Sequence, residues 1–349
     1  MGSCAPPRMN RAAPSFSSRC LYNEKKPFAP STPAQCRRHE VAAPEEKRGP
    51  ILGNGGLPVV TASRAWRGAV PAFRRLRTCR CVLFDINQNP APGWAISVSA
   101  EESVRLAVFT DIHANRQAFS ACLDFARARG AERTICLGDY VGYGADPEWT
   151  VDVVMDLVER GAIAVRGNHD SAIGTTTVSM NAEAQTAIEW TRGRLGAAQR
   201  RFLAELPLMV QEDDRLYVHS EASNPQRWHY VQTTLDAARS IVATEAQITF
   251  CGHIHQPTLY SMSAAAKLTS FVPRSGVGVQ LLPGRRWLAV LGSVGQPRDG
   301  DPAASFAMFD TGTREITYCR VPYDVETAAE RIRKNGLPFW LADRLLVGR

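Results

Sequence analysis

The sequence has no long hydrophobic run and no secretory signal. Its apolar stretches fall well short of the roughly 18 residues that span a bilayer, and the N-terminus lacks the apolar h-region of an export signal. We therefore expect a cytoplasmic protein without a membrane partner. An organelle transit peptide within residues 1–80 is the alternative, because this stretch is rich in Arg and poor in acidic residues.

Paired cysteines with metal or redox spacing are also missing. The nine cysteines are scattered singly except for Cys79 and Cys81, and none has the C-x-x-C spacing of a zinc ribbon or a thioredoxin-like site. A Cys-rich zinc site and a disulfide framework are therefore not expected. We interpret the cysteines as reduced thiols in a reducing compartment.

Acidic residues are scarce in the first hundred residues. Residues 1–100 contain 15 Lys and Arg against 5 Asp and Glu, whereas the rest of the chain contains 26 against 29. The first part also shows no sustained period of 2 or 3.6, and we predict a disordered basic extension there. Residues 101–349 form the predicted folded domain. Since this domain is slightly acidic, nucleic acid is not an expected partner, although the basic extension motivates a nuclease as an alternative.

Short apolar runs alternate with helical patterns from Val104 onward. Strands are predicted at 104–110, 134–137 and 162–165, with helices at 115–129 and 147–160. A polar loop is expected after the third strand. This alternation is typical of α/β proteins with right-handed βαβ units and favours a largely parallel sheet.

The second half of the domain is richer in strands. Residues 181–205 have one apolar helical face and predict a helical insertion near residues 175–205. The later elements are short strands with Gly or Pro between many of them, followed by two closing helices. The predicted strands are 216–219, 248–251, 287–291, 306–309 and 316–319, and the predicted helices are 325–334 and 339–346.

Unusual polar residues follow five of the predicted strands. Because ligands of open α/β sheets gather outside the carboxyl ends of strands, these segments can converge although they are far apart in sequence. Five of the seven histidines lie in them, and only His39 and His229 lie elsewhere. The segments are Asp111-Ile112-His113, Gly138-Asp139, Gly167-Asn168-His169-Asp170, Val218-His219 and Gly252-His253-Ile254-His255.

The residue types and their spacing predict metal binding. Residues i and i+2 of an extended segment point to the same side, so Asp111 with His113, and His253 with His255, are each expected to act as a ligand pair. A mixture of imidazole, carboxylate and amide oxygen without thiolate favours Mn, Fe, Zn or Ni. Buried imidazoles and carboxylates without a cation would also carry a large desolvation cost.

Together the five segments resemble the calcineurin-like metallophosphoesterases, which carry Asp-x-His, Gly-Asp, Gly-Asn-His-Asp, His and Gly-His-x-His in this order. The resemblance covers about residues 104–318, and the tract 292–298 (GSVGQPR) looks like the small bacterial phosphodiesterase branch. It implies a four-layer αββα sandwich with the metal site at the C-terminal ends of strands. It also implies two divalent metal ions: one held by Asp111, His113 and His255, a second held by Asn168, His219 and His253, with Asp139 bridging both.

The resemblance further implies in-line attack on phosphorus by a hydroxide that bridges the two metals. His169 is implied as the general acid for the leaving oxygen. Asp170 is interpreted either as orienting the His169 ring or as a structural cap. Asn115 is expected to cap the following helix and direct its N-terminal amides toward the phosphate.

The second motif departs from the phosphoprotein phosphatases, which resemble each other in Gly-Asp-x-Val-Asp-Arg-Gly. This chain has GDYVGYG at 138–144, so the arginine that would bind phosphate is missing, and Arg166 and Arg298 are the candidates to replace it. Asn115, Tyr143 and Arg166 are the candidate substrate-binding residues, and Gln256 is a further candidate for lining the substrate site.

We therefore expect a phosphodiesterase acting on small or nucleotide-like esters. A phosphomonoesterase or protein phosphatase and a non-catalytic scaffold of the same fold are the alternatives. Every residue of the metal motif is present, which disfavours the scaffold. The sequence leaves the oligomeric state open.

Overall fold

Two six-stranded mixed sheets form the centre of the fold in the computed structural model, which describes residue 2, residues 103–174 and residues 180–349. The predicted basic extension, residues 1–100, lies outside the described residues apart from Gly2. The first sheet has the order β3-β2-β1-β11-β12-β9 and the second β4-β5-β6-β10-β7-β8. The strands are β1 Arg105–Phe109, β2 Arg133–Cys136, β3 Ile163–Ala164, β4 Met209–Glu212, β5 Arg215–Val218, β6 Ile248–Cys251, β7 Thr258–Ser263, β8 Leu268–Phe271, β9 Gly278–Gln280, β10 Arg285–Val290, β11 Ala304–Asp310 and β12 Glu315–Val321.

The expectation of a largely parallel sheet is wrong for half of the strands. Strands β1, β2 and β3 are parallel, as are β5, β6 and β10, whereas the remaining described pairings are antiparallel. The later strands are joined by tight turns such as residues 311–314 between β11 and β12. A tight turn reverses the chain, whereas a parallel pair needs a longer crossover connection.

Eight helices of the described residues surround the sheets. Most of the predicted helices are present within one or two residues of their expected ends. Two departures concern 163–205: helix α3 replaces the expected polar loop after β3, and the insertion divides into α4 and α5 at Leu195, where the backbone becomes extended. Residues 175–179 of the predicted insertion lie outside the described residues. The helices are α1 Arg116–Ala128, α2 Pro147–Glu159, α3 Asn168–Gly174, α4 Ala182–Arg194, α5 Ala197–Glu205, α6 Thr234–Val242, α7 Val325–Lys334 and α8 Phe339–Val347.

Strand β1 shows how the four layers arise from the sequence. Successive side chains of a strand point to opposite faces, so Leu106 and Val108 face the second sheet, where they join a core with Phe250. Ala107 and Phe109 face the other way and pack against helix α1, where Phe109 contacts the ring of Phe119 edge-on at 5.6 Å. A strand buried on both faces is apolar throughout, which is the pattern of residues 106–109.

The second sheet is covered in the same way on its outer face. Leu216 and Val218 of β5 pack with Ala237 and Ile241 of α6. The order of layers is therefore helix, sheet, sheet, helix, and the predicted α/β four-layer sandwich is confirmed. Within the described residues, we find no helix that is both long and apolar enough to cross a bilayer.

Helix α6 was not predicted, although its start carries a recognisable signal. Thr233 accepts a hydrogen bond from the Asp236 N–H, and the Asp236 carboxylate accepts one from the Thr233 N–H. This reciprocal cap satisfies N–H groups that have no partner inside the helix. The T-x-x-D spacing at 233–236 therefore marks the beginning of this helix.

We predict opposite effects for two Gly-to-Ala substitutions. A Cβ at Gly295 would lie 1.9 Å from the carbonyl oxygen of Ile112, which is backbone and cannot rotate away. Gly295→Ala should lower the free energy of unfolding by at least about 2 kcal/mol. Gly193, near the end of α4, has open space around it, so Gly193→Ala should leave stability unchanged or raise it by about 0.5 kcal/mol. Urea unfolding followed by circular dichroism measures both, and equal stabilities would contradict the close approach at Gly295.

Candidate metal centre

The five polar segments meet at one edge of the sandwich, where the parallel strands of both sheets end. His253, which follows β6, donates its backbone N–H to the Asp111 carboxylate after β1, at 2.9 Å. His219, which follows β5, donates a ring N–H to the Leu137 carbonyl after β2, at 2.8 Å. All seven predicted metal-binding residues are buried: Asp111, His113, Asp139, Asn168, His219, His253 and His255. These residues therefore lie close together, as their positions after the strand ends predicted.

The backbone of these segments is not extended, as the spacing argument assumed. Asp111, His113, Asp139, His253 and His255 all have φ between 48° and 70°, in the left-handed region that non-glycine residues adopt at a cost. The pairing of His253 with His255 that the spacing suggested is therefore wrong, whereas the family resemblance had assigned the two histidines to different ions. His255 lies with Asp111 and His113, whereas His253 lies with Asp139 and His219.

The first cluster contains two imidazole nitrogens that face each other. His113 Nδ1 lies 3.0 Å from the Val141 carbonyl, and His255 Nδ1 lies 2.6 Å from the Gln296 carbonyl. A carbonyl only accepts, so each Nδ1 carries the proton and each Nε2 presents a lone pair. The two Nε2 atoms are 3.2 Å apart, and Asp111 Oδ1 lies 3.2 Å from His255 Nε2. Three electron-pair donors in this arrangement fit a cation.

The second cluster repeats this arrangement. His219 Nδ1 donates to the Leu137 carbonyl and His253 Nε2 donates to the Trp228 carbonyl at 2.9 Å. The lone pairs of His219 Nε2 and His253 Nδ1 then face each other at 3.1 Å. Asn168 Oδ1 lies 3.2 Å from His219 Nε2 and adds an amide oxygen as a fourth donor to the set formed by Asp139, His219 and His253.

Asp139 lies between the two clusters. Its Oδ2 is 3.8 Å from His113 Nε2 and 3.4 Å from His219 Nε2. Its Oδ1 accepts the His169 backbone N–H at 2.9 Å. A Cβ on residue 167 would lie 2.1 Å from that Oδ1, so glycine is required there. The buried His and Asp clusters thus fit a dinuclear metal site with nitrogen and oxygen ligands and no thiolate.

Burial and charge favour the metal-binding forms of most of these groups. Burial lowers the pKa of His113 and His255 and lowers the pKa of His253 to about 3, so that these rings are neutral. Burial opposes ionisation of Asp139, but the neighbouring His219 and His169 outweigh it and hold its pKa well below the usual value. For His219, the charge of Asp139 outweighs burial and raises the pKa to about 9. Asp139 therefore attracts positive charge at this position, and a proton on His219 competes with a cation.

His169 borders the cavity beside Asp139. Its Nε2 lies 4.0 Å from Asp139 Oδ2, and its ring contacts Tyr143 edge-on at 4.5 Å. Burial lowers its pKa to about 4. Its Nδ1 has no hydrogen-bond partner among the described residues. Within the described residues, this ring nitrogen is therefore available to bind a ligand.

Asp170 has a structural role and does not orient the His169 ring. Its carboxylate accepts the backbone N–H groups of Asp139, Tyr140 and Gly167 at 2.8–2.9 Å. These bonds join the loop after β2 to the loop after β3. Of the two interpretations of this residue, the cap is the one that the contacts support.

A cavity of about 490 Å³ opens over the metal centre. Tyr143 and Arg298 border it, and the Arg298 guanidinium lies 5.7 Å from the centre of the Tyr143 ring. Arg298 also donates to Gln296 Oε1 at 2.9 Å. Of the two arginines proposed to replace the missing one, Arg298 is at the cavity.

The expectation that Asn115 and Arg166 contact the substrate is not supported by their positions. Asn115 caps α1 as predicted, but it is buried and its amide donates to the Gly295 carbonyl and the Tyr323 hydroxyl. Arg166 donates to the Ala204 carbonyl of α5 at 2.6 Å. Neither borders the cavity. Their positions in the sequence did not predict that each side chain forms hydrogen bonds with another part of the fold.

One wall of the cavity was not predicted from the sequence and comes from the loop between β5 and α6. After His219, this loop carries no motif of the metal site. Its signal is compositional, since two aromatic residues and an arginine occur within five residues of a short exposed segment. The missed residues bordering the cavity are Gln226, Arg227, Trp228 and Tyr230.

A helix-flanked two-sheet sandwich with buried His and Asp clusters at strand ends defines a metallophosphoesterase-type protein. Residues 104–314 match the calcineurin-like phosphoesterase superfamily domain, and the chain belongs to this superfamily. The family expected from the motifs is therefore confirmed.

Relatives support this over most of the described chain. An uncharacterised protein of Methanocaldococcus jannaschii is 35% identical over 250 residues, which are 70% of this chain and 98% of the relative. The crystal structure of a metallophosphoesterase from Sphaerobacter thermophilus is 32% identical, with a TM-score of 0.63 over 71% of this chain and 100% of the other. A hypothetical protein from Pyrococcus horikoshii, 20% identical with a TM-score of 0.58, covers 70% of this chain and 99% of its own and shares the fold.

We predict that a divalent cation stabilises the protein through Asp139. At a free Mn²⁺ concentration of 100 times the dissociation constant, the free energy of unfolding should rise by about 2.7 kcal/mol. Asp139→Asn should remove most of this increase, because the neutral amide no longer compensates the charge of two cations. Thermal unfolding with and without Mn²⁺, together with metal content by mass spectrometry, measures the effect.

The matched control is Asp214→Asn. Asp214 pairs with Arg314 at 2.7 Å and is about one-third exposed. This variant should keep the Mn²⁺-dependent stabilisation. Equal stabilisation of the Asp139→Asn protein would show that Asp139 is not a ligand.

Proposed function

We propose that the protein is a dinuclear metal-dependent phosphoesterase that hydrolyses small or nucleotide-like phosphodiesters. The observation that carries this proposal is the arrangement around Asp139. Two pairs of imidazole nitrogens, each fixed by a hydrogen bond from the other ring nitrogen, face each other on either side of this carboxylate. Membership of the calcineurin-like phosphoesterase superfamily supports the same reaction class.

Seven residues would hold the cations. Asp111, His113 and His255 are proposed for one ion, Asn168, His219 and His253 for the second, and Asp139 for both. When bound, two such ions activate a water molecule and neutralise charge on the phosphoryl oxygens. Mn, Fe, Zn and Ni all suit this mixture of nitrogen and oxygen ligands.

His169 is proposed to donate a proton to the leaving oxygen. Its ring borders the cavity beside Asp139, and its Nδ1 is without a hydrogen-bond partner in the described structure. Burial keeps the free ring neutral, whereas the negative charge of a bound phosphate would favour the protonated ring. Tyr143 packs against the ring and limits its orientation.

The preference for diesters is supported by the cavity. A volume of about 490 Å³ lies in the range of small-molecule sites, so the cavity can hold organic substituents in addition to a phosphate group. Arg298 borders this space and supplies positive charge for the phosphate. The arginine that the phosphoprotein phosphatases carry in their second motif is absent at 138–144.

An ester assay tests this proposal. Metal-free protein is reconstituted with Mn²⁺, Zn²⁺, Ni²⁺ or Mg²⁺ and given bis(4-nitrophenyl) phosphate or 4-nitrophenyl phosphate. We expect the diester to be hydrolysed with the higher kcat/KM, and Asp139→Asn or His255→Ala to abolish turnover. Higher kcat/KM for the monoester would favour the phosphomonoesterase, and metal binding without turnover of either ester would favour the scaffold.

The leaving group provides a test of His169. His169→Ala should keep the metal content and slow hydrolysis of an alkyl diester by roughly 10²- to 10⁴-fold, the usual contribution of general acid catalysis. The loss should be much smaller for a 4-nitrophenyl diester, since that leaving group departs without a proton. Equal losses on both esters would exclude proton donation as the role of this residue.

A further inference from the structure

The loop between β5 and α6 forms a wall of the cavity that the proposed chemistry does not use. A short 3-10 turn, Pro225–Arg227, ends at Trp228, whose backbone is left-handed with φ 54° and ψ 38°. Such a conformation is uncommon for a bulky residue and persists where surrounding contacts hold it. The fold therefore maintains a defined shape in this loop.

The contacts that hold Trp228 come from the second histidine cluster. The Trp228 carbonyl accepts the His253 Nε2–H at 2.9 Å, and the indole ring contacts the His219 ring edge-on at 6.0 Å. The loop is thus attached to the proposed metal ligands. Its backbone is therefore held at a fixed position relative to His219 and His253.

Tyr230 presents an aromatic ring to the cavity. The ring stacks on His253 with centroids 4.2 Å apart and planes inclined by 15°. The residue nevertheless remains 44% exposed and borders the cavity. An exposed ring held parallel to a fixed imidazole can stack with a planar ligand without first having to be ordered.

Polar groups beside the two aromatic rings complete the wall. Gln226 and Arg227 are exposed, border the cavity, and have no side-chain hydrogen bond or ion pair within the described part of the chain. A glutamine amide can both donate to and accept from the edge of a base, and a guanidinium can donate to ring nitrogens or phosphate. Stacking faces combined with edge-reading groups are typical of sites for single nucleobases.

We infer that Trp228 and Tyr230 bind a nucleobase carried by one ester substituent of the substrate. The base stacks on the exposed part of the Tyr230 ring, and Gln226 contacts its edge. This inference rests on the proposed phosphodiesterase function for the position of the phosphate, and it narrows the substrate class to nucleotide esters.

Equilibrium binding tests the inference independently of turnover. Mn²⁺-loaded full-length protein is titrated by calorimetry with adenosine 5′-monophosphate and with ribose 5-phosphate, which carries a hydroxyl group where the nucleotide carries its base. The nucleotide should bind about tenfold more tightly than ribose 5-phosphate, which is within the range of one base–aromatic stack. Tyr230→Ala should reduce this ratio to about one, because it removes the stacking surface, and Tyr230→Phe should retain it.

Phe271→Ala is the matched control. Phe271 is 46% exposed on strand β8 and does not border the cavity, so the affinity ratio should be unchanged. Equal affinities of the unaltered protein for the two ligands, or no binding of adenosine 5′-monophosphate, would overturn the inference. Equal weakening of both ligands by Tyr230→Ala would also overturn it, since Tyr230 would then act only through His253.

Turnover separates this inference from the proposed function. Thymidine 5′-(4-nitrophenyl) phosphate and methyl 4-nitrophenyl phosphate share one leaving group and differ in the base-bearing substituent. A high ratio of kcat/KM for the first over the second, lost in Tyr230→Ala mainly through KM, would agree with the binding result. If neither ester is hydrolysed although adenosine 5′-monophosphate binds through Tyr230, the proposed catalytic function is wrong and the inference that Tyr230 binds a base is supported.

Discussion

The site depends on one recurring hydrogen bond, from a ring N–H of a buried histidine to a main-chain carbonyl. His113, His219, His253 and His255 each make it, and the carbonyls belong to three different loops. Each bond fixes a tautomer and turns the remaining lone pair toward the other donors of its cluster. Because the acceptor is backbone, the direction of the lone pair is set by the path of the chain and not by another mobile side chain.

The same constraint explains the close packing of the strand-end loops. A Cβ on Gly138 would lie 2.5 Å from the Gly167 backbone nitrogen, and one on Gly252 would lie 2.0 Å from the Thr110 hydroxyl. The left-handed conformations of Asp111 and His113 are held by hydrogen bonds from their N–H groups to the carbonyls of Gly138 and Asp139. Strained backbone and glycine contacts thus maintain a geometry that isolated loops would not keep.

Two parts of the cavity differ in how they relate to the fold. The metal-centre residues follow parallel strands, and their positions are imposed by the two sheets. The other part of the lining comes from residues 226–230, in the loop between β5 and α6, and from the start of α4, where Asn181 caps the helix. In many α/β enzymes the strands position the catalytic groups and the connecting loops contact the substrate. Changes in these loops can then alter which ester is bound while the reaction stays the same.

The sequence by itself determined the set of chemical groups and their position after particular strands, because apolar runs and their polar ends are local properties of the chain. It also determined the family and most helix limits. The tertiary structure decided that His253 and His255 do not act as the pair that local spacing suggests, since left-handed backbone replaces the extended path. It also decided the antiparallel pairings, the engagement of Asn115 and Arg166 by neighbouring elements, and the aromatic wall at Tyr230. These features depend on contacts between residues distant in sequence, which no local pattern contains.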